Sequence, residues 1–224
     1  MTLHLSCIMP TADRRRFVPQ AIAAFLGQTR DDAELLILDD GTDAVADIVP
    51  AHPRIRYSRD AVKRAIGVKR NRLCAQATGE VIVHWDDDDW HAPDRLERQS
   101  AAVAASGAAI VGLDRIAFLA DDGSAAWDYV WAGAGRWVYG ATLAYRRDWW
   151  HDHRFREVHI GEDTRFVLDA GDANVHAMPP GDWLIARVHA GNTSPKYTGG
   201  GAWHPRDAAA LRTLARTFEQ AGGR

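Results

Sequence analysis

The stretch Val81-Ile82-Val83-His84-Trp85-Asp86-Asp87-Asp88-Asp89-Trp90 decides the fold, because an apolar run ends abruptly in four consecutive carboxylates. A short, continuous apolar run of this kind is typical of a strand that is buried on both faces. Adjacent carboxylates repel one another, so four of them at a strand end indicate a bound cation that offsets the repulsion. The ends of strands are also where open α/β sheets bind their ligands.

A solvated turn or the start of a helix is the structural alternative for residues 86–89, since aspartate is favoured in both and Pro93-Asp94 precedes a predicted helix. Asp86 and Asp88, however, have a D-x-D spacing. That spacing can present two carboxylates to one hard cation such as Mg²⁺ or Mn²⁺, whose other positions take phosphate oxygens. We therefore predict a site for a divalent cation and a nucleoside diphosphate.

The composition is that of an ordinary globular protein, with 224 residues, 46% hydrophobic and 25% charged. We expect a single domain over residues 1–224. The formal net charge of -3 disfavours binding to nucleic acid or to an anionic membrane. Cys7 and Cys74 lack the spacing of a metal or redox pair. The apolar run 101–113 is too short and too interrupted to cross a bilayer, and no signal peptide is recognisable, so a cytoplasmic location is expected. The oligomeric state is not predicted.

Strands and helices alternate through the first hundred residues. Apolar runs predict strands over 3–9, which ends at Pro10, and over 34–38, 55–58 and 81–85, and helical spacing predicts helices over 18–28 and 64–77. This alternation predicts a parallel sheet covered by helices on both faces. The carboxyl ends of parallel strands share one edge, so Asp39-Asp40 and the run 86–89 are expected there together.

The second half of the chain is richer in strand patterns. Predicted strands cover 109–119, 125–131, 141–146 and 184–188, and predicted helices cover 95–106 and 205–221, with a further helix that starts at Gly161-Glu162-Asp163. The segment 192–203 is rich in turn-forming residues and contains three successive glycines. We expect it to be a mobile loop that closes over a ligand.

Four motifs carry a family resemblance. They are Met9-Pro10-Thr11-Ala12-Asp13-Arg14, Leu36-Ile37-Leu38-Asp39-Asp40-Gly41-Thr42, Lys69-Arg70-Asn71-Arg72, and Gly79-Glu80-Val81-Ile82 leading into residues 86–89 and Pro93-Asp94-Arg95-Leu96. In content, order and spacing these motifs resemble the donor-binding half of family 2 glycosyltransferases. The resemblance implies a GT-A fold, in which a Rossmann-like, mostly parallel sheet flanked by helices is joined to a smaller mixed acceptor-side region. It also implies a donor half over 1–100 and an acceptor and catalytic half over 101–224.

The resemblance implies roles for residues of the donor half. Pro10 and Thr11 would contact the nucleoside, and Asp40 would accept a hydrogen bond from the base. Arg70 would lie near the donor diphosphate, together with the run 86–89, of which Asp86 and Asp87 are assigned to the donor pocket. A plain strand-end turn is the alternative for Asp39 and Asp40.

Arg70 is as compatible with a structural role as with a functional one. Lys69 and Arg72 are expected to be solvated charges on the helix.

The metal and the catalytic base are also assigned by resemblance. Asp88 would bind the metal with help from Asp86, and His189 would be a further ligand, although a lone histidine is more often structural. The segment Gly161-Glu162-Asp163-Thr164-Arg165-Phe166 resembles the E-D motif of the family, whose aspartate, here Asp163, is the proposed base. Acidic residues are also favoured in any first helical turn, which is the alternative for Asp163.

Together these features predict a metal-dependent, inverting glycosyltransferase that moves one sugar from a nucleotide sugar, with a UDP-sugar as first candidate, to an acceptor hydroxyl. Ala12-Asp13 replaces the aromatic-asparagine pair usual in the family, and the Q-x-x-R-W motif of processive enzymes is absent from the sequence. Trp131 and Trp203 are the candidates for stacking on an acceptor sugar. Two alternatives are a catalytically silent nucleotide-sugar binding module and a nucleotidyltransferase, although the latter normally has a glycine-rich phosphate loop near its N-terminus.

Overall fold

The computed structural model describes residues 3–223, so the two ends of the predicted 1–224 unit lie outside the description. The strands are β1 Leu5–Thr11, β2 Ala33–Asp39, β3 Ile55–Arg59, β4 Val81–His84, β5 Trp90–His91, β6 Ile110–Gly112, β7 Arg115–Ala120, β8 Ala126–Val130, β9 Ala144–Arg146, β10 Val175–Ala177, β11 Leu184–Val188 and β12 Trp203–Arg206. The helices are α1 Val18–Leu26, α2 Ile66–Gln76, α3 Arg95–Ser106, α4 Arg147–Asp152, α5 Glu162–Ala170 and α6 Ala208–Gly222.

A seven-stranded sheet in the order β10-β6-β9-β4-β1-β2-β3 forms the centre of the molecule. All its pairs are parallel except the two that β9 makes with β4 and β6. Successive side chains of β1 and β2 point to opposite faces and are buried on both, which explains the continuous apolar runs. One face packs against α1, α3 and α6, and the other packs against α2 and α5. The predicted α/β alternation is confirmed.

The predicted end of the first strand at Pro10 is wrong, because β1 continues to Thr11. The Ile8 carbonyl accepts a hydrogen bond from the Trp85 N–H at 3.0 Å, so Ile8 faces β4. Pro10, two residues further on, faces the same side but lies beyond the last β1–β4 pair. The N–H that proline lacks is therefore not needed by the sheet, and the strand tolerates the residue.

A second, five-stranded sheet in the order β12-β8-β7-β11-β5 packs beside the first and is antiparallel except for β7–β11. The predicted strand 109–119 is in fact two strands, since β6 belongs to the large sheet and β7 to the small one. The predicted helix 205–221 begins later, at Ala208, because Pro205 pairs with Trp127 in β12. Asp207 caps this helix by accepting hydrogen bonds from the N–H groups of Ala209 and Ala210.

The sequence patterns also missed the short elements α4 and β10. Within residues 3–223, no helix combines the length and the apolar character that crossing a membrane requires.

The fully buried Arg95 on α3 joins the end of β4 to the segment 140–142. Its guanidinium donates to the carbonyls of His84 at 2.6 Å and Ala141 at 2.9 Å, and to Gln99 Oε1 at 3.0 Å. These bonds give the buried carbonyls of His84 and Ala141 a charged donor. They also hold the chain rigid just before the acidic run 86–89.

We expect Arg95→Ala to lower the free energy of unfolding by about 3 kcal/mol, because it leaves buried carbonyls without donors. Arg98→Ala on the same helix is the matched control, since Arg98 is exposed and pairs with Asp94 at the surface. That change should cost at most about 0.5 kcal/mol. Urea unfolding of the two variants measures the difference, and equal losses would contradict the role given to Arg95.

Candidate active site

A cavity of roughly 630 Å³ opens at the carboxyl ends of β1 and β4. Its size is within the range of pockets that hold small ligands. Residues of the donor half, of α5, of the small sheet and of the segment 191–197 all line it. The cavity therefore collects most of the residues that the sequence singled out.

The acidic run forms a turn between β4 and β5, and two of its carboxylates meet one arginine. Arg14 Nη1 donates to Asp87 Oδ1 at 3.1 Å and to Asp88 Oδ2. Asp87 also accepts a hydrogen bond from the Thr11 hydroxyl at 2.5 Å. Burial and the adjacent Asp88 charge raise the pKa of Asp87 to about 7. Burial alone would raise the pKa of Asp88 as well, but a hydrogen bond from His189 and the Arg14 charge outweigh it and lower that pKa.

The two outer carboxylates of the turn have different surroundings. Asp89 Oδ1 accepts from the backbone N–H of Arg187 at 2.9 Å, so Asp89 fastens the turn to β11. Burial raises the pKa of Asp89 well above its ordinary value. Asp86 faces the cavity, where its Oδ1 lies 3.7 Å from Arg70 Nη2. Burial raises the pKa of Asp86 too, and the Arg70 charge opposes the increase.

Arg70 connects the acidic turn to the start of α5. Its Nη1 lies 2.9 Å from Glu162 Oε1, in addition to the contact with Asp86. Arg70 is 6% exposed, and its Nε and Nη1 have no well-aligned hydrogen-bond acceptor within the described residues. A buried cation with free N–H groups in a cavity is suited to an anionic ligand.

Asp40 and Lys69 form a buried ion pair beneath the same cavity. Lys69 Nζ donates to Asp40 Oδ1 and to the Thr11 carbonyl, the latter at 2.7 Å. The predicted solvated position of Lys69 is therefore wrong, since this side chain closes the gap between the ends of β1 and β2. Asp40 Oδ2 accepts from the Arg64 N–H at 2.7 Å. Both Asp40 oxygens already have donors, although each can accept a second hydrogen bond.

Asp39, in contrast, is structural. It is fully buried, and it accepts hydrogen bonds from the backbone N–H groups of Gly41 and Val45, from the Tyr57 hydroxyl and from Arg59. These bonds shape the turn after β2. The strand-end turn is thus the better description of Asp39.

Asp163 lies in the first turn of α5, which begins at Glu162 as predicted, after Gly161 in a left-handed conformation. Its carboxylate lies against Gly140, where an added Cβ atom would come within 1.7 Å of Asp163 Oδ2. Only glycine leaves room for the carboxylate at this approach. Asp163 and the neighbouring Glu162 both line the cavity, and burial raises the pKa of Glu162.

His189 lies beside Asp88, with its Nε2 2.8 Å from Asp88 Oδ2. Asn192 Nδ2 reaches the same oxygen at 3.4 Å. A carboxylate and an imidazole suit Mn²⁺, so the donor chemistry of this pair fits a divalent cation that takes further oxygens from a ligand. Over residues 3–223, however, no group of three His, Cys, Asp or Glu side chains is arranged around one point. Asp86 contacts Arg70 instead.

Aromatic side chains form one wall of the cavity. Tyr129, Trp137, Tyr139 and Trp203 all line it, and we call these four residues the aromatic wall. Trp131 does not contribute to the lining of the described cavity, because its ring stacks on Trp137 at 4.7 Å from outside. Of the two stacking candidates predicted from the sequence, the structure brings only Trp203 to the cavity.

Arg14 is a site residue that sequence reasoning missed, as are Tyr129 and Tyr139 of the aromatic wall. The signal was the run Arg14-Arg15-Arg16, but nothing in the sequence distinguishes its members. Arg15 pairs with Asp43 and Asp47 at the surface, and Arg16 pairs with Asp121. Asp13 has a left-handed backbone (φ 57°) and fixes the loop by accepting hydrogen bonds from Thr42 and Asp43. This turn directs Arg14 alone into the acidic cluster.

Curated relatives match less than half of the chain. An uncharacterized glycosyltransferase of Haemophilus influenzae is 28% identical over 100 residues, which are 42% of this chain and 40% of that protein. A putative colanic acid biosynthesis glycosyl transferase of Escherichia coli is 33% identical over 97 residues, 41% of this chain and 35% of its own length. The matched part is thus well under half of either relative.

Solved structures resemble nearly the whole fold. Staphylococcus aureus TarS 1-349 in complex with UDP superposes with a TM-score of 0.68 at 19% identity, over 83% of this chain and 61% of that one. The mannosyltransferase PcManGT of Pyrobaculum calidifontis, in complex with GDP-Man and Mn²⁺, superposes with a TM-score of 0.67 at 19% identity, over 86% and 59% of the two chains. These similarities confirm the GT-A fold.

The family model described as Glycosyl transferase family 2 matches residues 6–164. This range begins in β1 and ends in the first turn of α5. It contains Thr11, Arg14, the acidic turn 86–89 and Asp163, so the cavity described above lies largely within the matched part. The chain belongs to glycosyl transferase family 2.

Proposed function

We propose that this protein is a metal-dependent, inverting glycosyltransferase that moves a single sugar from a nucleotide-diphosphate sugar to an acceptor hydroxyl. The observation that carries the proposal is the Arg70 bridge, which joins Asp86 of the acidic turn to Glu162, the neighbour of Asp163. A leaving-group site and a candidate base are thereby held in one cavity. Residues 1–100 would supply most of the donor site, and residues 101–224 the acceptor side.

The donor site is proposed at the ends of β1, β2 and β4. Pro10 and Thr11 line the cavity there and would contact the nucleoside. Asp40, which is paired with Lys69 beneath the cavity, would accept a hydrogen bond from the base. Arg70 Nε and Nη1 have no well-aligned acceptor among the described residues, so the guanidinium can donate to a diphosphate while it stays beside Glu162. A uridine nucleotide remains our first candidate, and the structural neighbours in complex with UDP and with GDP-Man support a nucleotide-sugar donor in general.

Asp88 and His189 would hold Mn²⁺ or Mg²⁺, with Asp86 as a further ligand. Bound there, the cation would neutralise charge on the departing nucleoside diphosphate. Asp88 is suited to this role because its pKa is lowered, so it stays ionised. The complex of a structural neighbour with Mn²⁺ supports the assignment of a divalent cation.

Asp163 would take the proton of the acceptor hydroxyl as that oxygen attacks the anomeric carbon from the face opposite the leaving group. Its contact with Gly140 fixes the carboxylate at the boundary between the donor site and the aromatic wall. An acceptor over the wall would meet Asp163 on one side and the donor sugar on the other. One direct displacement inverts the anomeric centre.

The aromatic wall favours a saccharide acceptor, because the C–H faces of sugar rings pack on aromatic rings while their hydroxyls remain free to reach Asp163. Trp137 Nε1 is buried without an acceptor in the described structure and is a donor available to a ligand hydroxyl. Lys196 Nζ donates to the Tyr139 hydroxyl at 2.9 Å, so the segment 192–203 covers part of the wall.

We place the reaction in the cytoplasm, which agrees with the two buried free thiols.

The metal assignment predicts that Asp88→Asn removes the cation dependence of donor binding. In the unaltered protein, UDP should bind at least about tenfold more tightly with Mn²⁺ than with a chelator, whereas in the variant the two affinities should be alike. Isothermal titration calorimetry measures both. Asp94→Asn, a change at the half-buried residue that precedes α3 and pairs with Arg98, is the control and should behave as the unaltered protein. Equal UDP affinity in Mn²⁺ and in chelator for the unaltered protein would refute the metal site.

The base assignment predicts that Asp163→Asn, which is nearly isosteric, lowers turnover by roughly 10²-fold or more with little change in donor affinity. Release of nucleoside diphosphate from the donor reports turnover, and calorimetry reports affinity. Asp169→Asn on the same helix is the control, because Asp169 is exposed and pairs with Arg156. A large loss of nucleotide affinity at near-normal turnover would make Asp163 a binding residue, and normal values of both would show that Asp163 has no part in the reaction.

The acceptor assignment predicts that Trp203→Ala weakens binding of saccharides by roughly tenfold, an effect of the size expected for one lost stacking ring. The measurement is retention of labelled protein on an array of oligosaccharides, with donor affinity as the second readout. Trp149→Ala, which removes a tryptophan that stacks on His153 instead, is the control. If Trp203→Ala changes donor affinity but not saccharide retention, the wall serves the donor and not the acceptor.

A further inference from the structure

Arg14 connects two parts of the site that are distant in sequence. Its Nη1 bonds to Asp87 and Asp88, and its Nη2 donates to the carbonyl of Gly191 at 2.7 Å and to the Thr193 hydroxyl at 3.3 Å. The side chain is 15% exposed. One guanidinium thus joins the acidic turn to the segment that covers the cavity.

The other cations near the turn already have carboxylate partners of their own. Lys69 pairs with Asp40, and Arg70 pairs with Glu162. Arg14 has no partner besides the carboxylates of the turn and the loop atoms just named, among the residues described. Its charge therefore balances the same Asp88 oxygen that, under the proposed function, binds the divalent cation.

A guanidinium and a divalent cation cannot both lie against Asp88 Oδ2 without strong repulsion, because the site is buried and poorly screened. A cation that arrives alone must displace Arg14 and leave it without a counter-charge. A cation that arrives with a nucleoside diphosphate brings phosphate oxygens, to which a guanidinium binds well. Arg14 can then exchange its carboxylate partners for phosphate.

We propose that Arg14 is an exchangeable counter-ion that keeps the acidic turn closed to free divalent cations and passes to the donor diphosphate when cation and nucleotide bind together. This inference rests on the proposed function, and it adds an order of binding. Free cation binds weakly, and the nucleotide complex binds tightly. Because Gly191 and Thr193 also depend on Arg14, the exchange frees or repositions the segment 191–193 at the same moment.

The test compares Arg14→Gln with the unaltered protein by titration with Mn²⁺ alone, followed by electron paramagnetic resonance, and with UDP in the presence of Mn²⁺, followed by calorimetry. Arg14→Gln should bind Mn²⁺ alone at least about tenfold more tightly, because the competing charge is gone. It should bind UDP with Mn²⁺ at least about tenfold more weakly, because the phosphate loses a donor. Opposite signs in the two titrations distinguish an exchangeable counter-ion from a purely structural ion pair.

Two further variants complete the test. Arg14→Lys keeps the charge and should keep the weak binding of Mn²⁺ alone. Arg15→Gln removes the adjacent charge, which pairs with Asp43 and Asp47 away from the cavity, and should leave both titrations unchanged. Hydrogen exchange should show faster exchange of residues 191–193 in Arg14→Gln only.

Unchanged or weaker binding of Mn²⁺ alone in a folded Arg14→Gln protein overturns the proposal, as does an equal gain in Arg15→Gln. Circular dichroism establishes whether the variants fold. If Arg14→Gln does not fold, the charge-retaining Arg14→Lys variant decides the question, because that variant must still bind Mn²⁺ alone only weakly. If no nucleotide binds to any variant, the proposed function fails. The titration with Mn²⁺ alone still decides whether Arg14 weakens the binding of free Mn²⁺ to the acidic turn.

Discussion

The balance of charge around residues 86–89 is the constraint on which the rest of the structure depends. Two unit charges 4 Å apart interact by about 4 kcal/mol at an effective dielectric constant of 20, so a buried cluster of four carboxylates requires cations. Four elements contribute: Arg14 after β1 and Arg70 on α2 pair with carboxylates of the turn, the Arg95 charge on α3 acts on Asp86 and Asp89, and Arg187 on β11 binds the turn through its backbone N–H and its guanidinium. The turn therefore has its shape only when all four elements are in place.

The same arrangement divides the four carboxylates of the turn into two that hold the structure together and two that face the cavity. Asp89 is used to join the two sheets, and Asp87 is held by Thr11 and Arg14, so these two carboxylates have structural partners. Asp86 and Asp88 face the cavity with cationic or imidazole neighbours that a ligand can replace. A rigid frame thus presents a small number of exchangeable contacts, which is the condition for a binding site that is largely formed before its ligand arrives.

Much of this follows from the sequence, and the reasons for the exceptions are physical. The apolar runs predict the parallel strands because both faces of those strands are buried, and the position of residues 86–89 directly after such a run places the acidic turn at the correct sheet edge. The prediction that the first strand ends at Pro10 is wrong because the missing N–H of a proline matters only where a neighbouring strand needs that donor. The prediction that Lys69 is a solvated helix charge is wrong because its position on the helix does not reveal the buried carboxylate of Asp40, which follows a different element.

Arg14, the Gly140 contact and the aromatic wall depend on contacts between residues that are not neighbours in the sequence, and a single sequence does not reveal such pairs. Family membership rests on the match over residues 6–164.

The central claim is that Arg14 moves from Asp88 to the donor diphosphate, and a crystal structure with UDP and Mn²⁺ tests it most directly. The account predicts anomalous density for Mn²⁺ at Asp88 and the Arg14 guanidinium on the diphosphate. Bound UDP with Arg14 still on Asp88, and no metal density there, would contradict it.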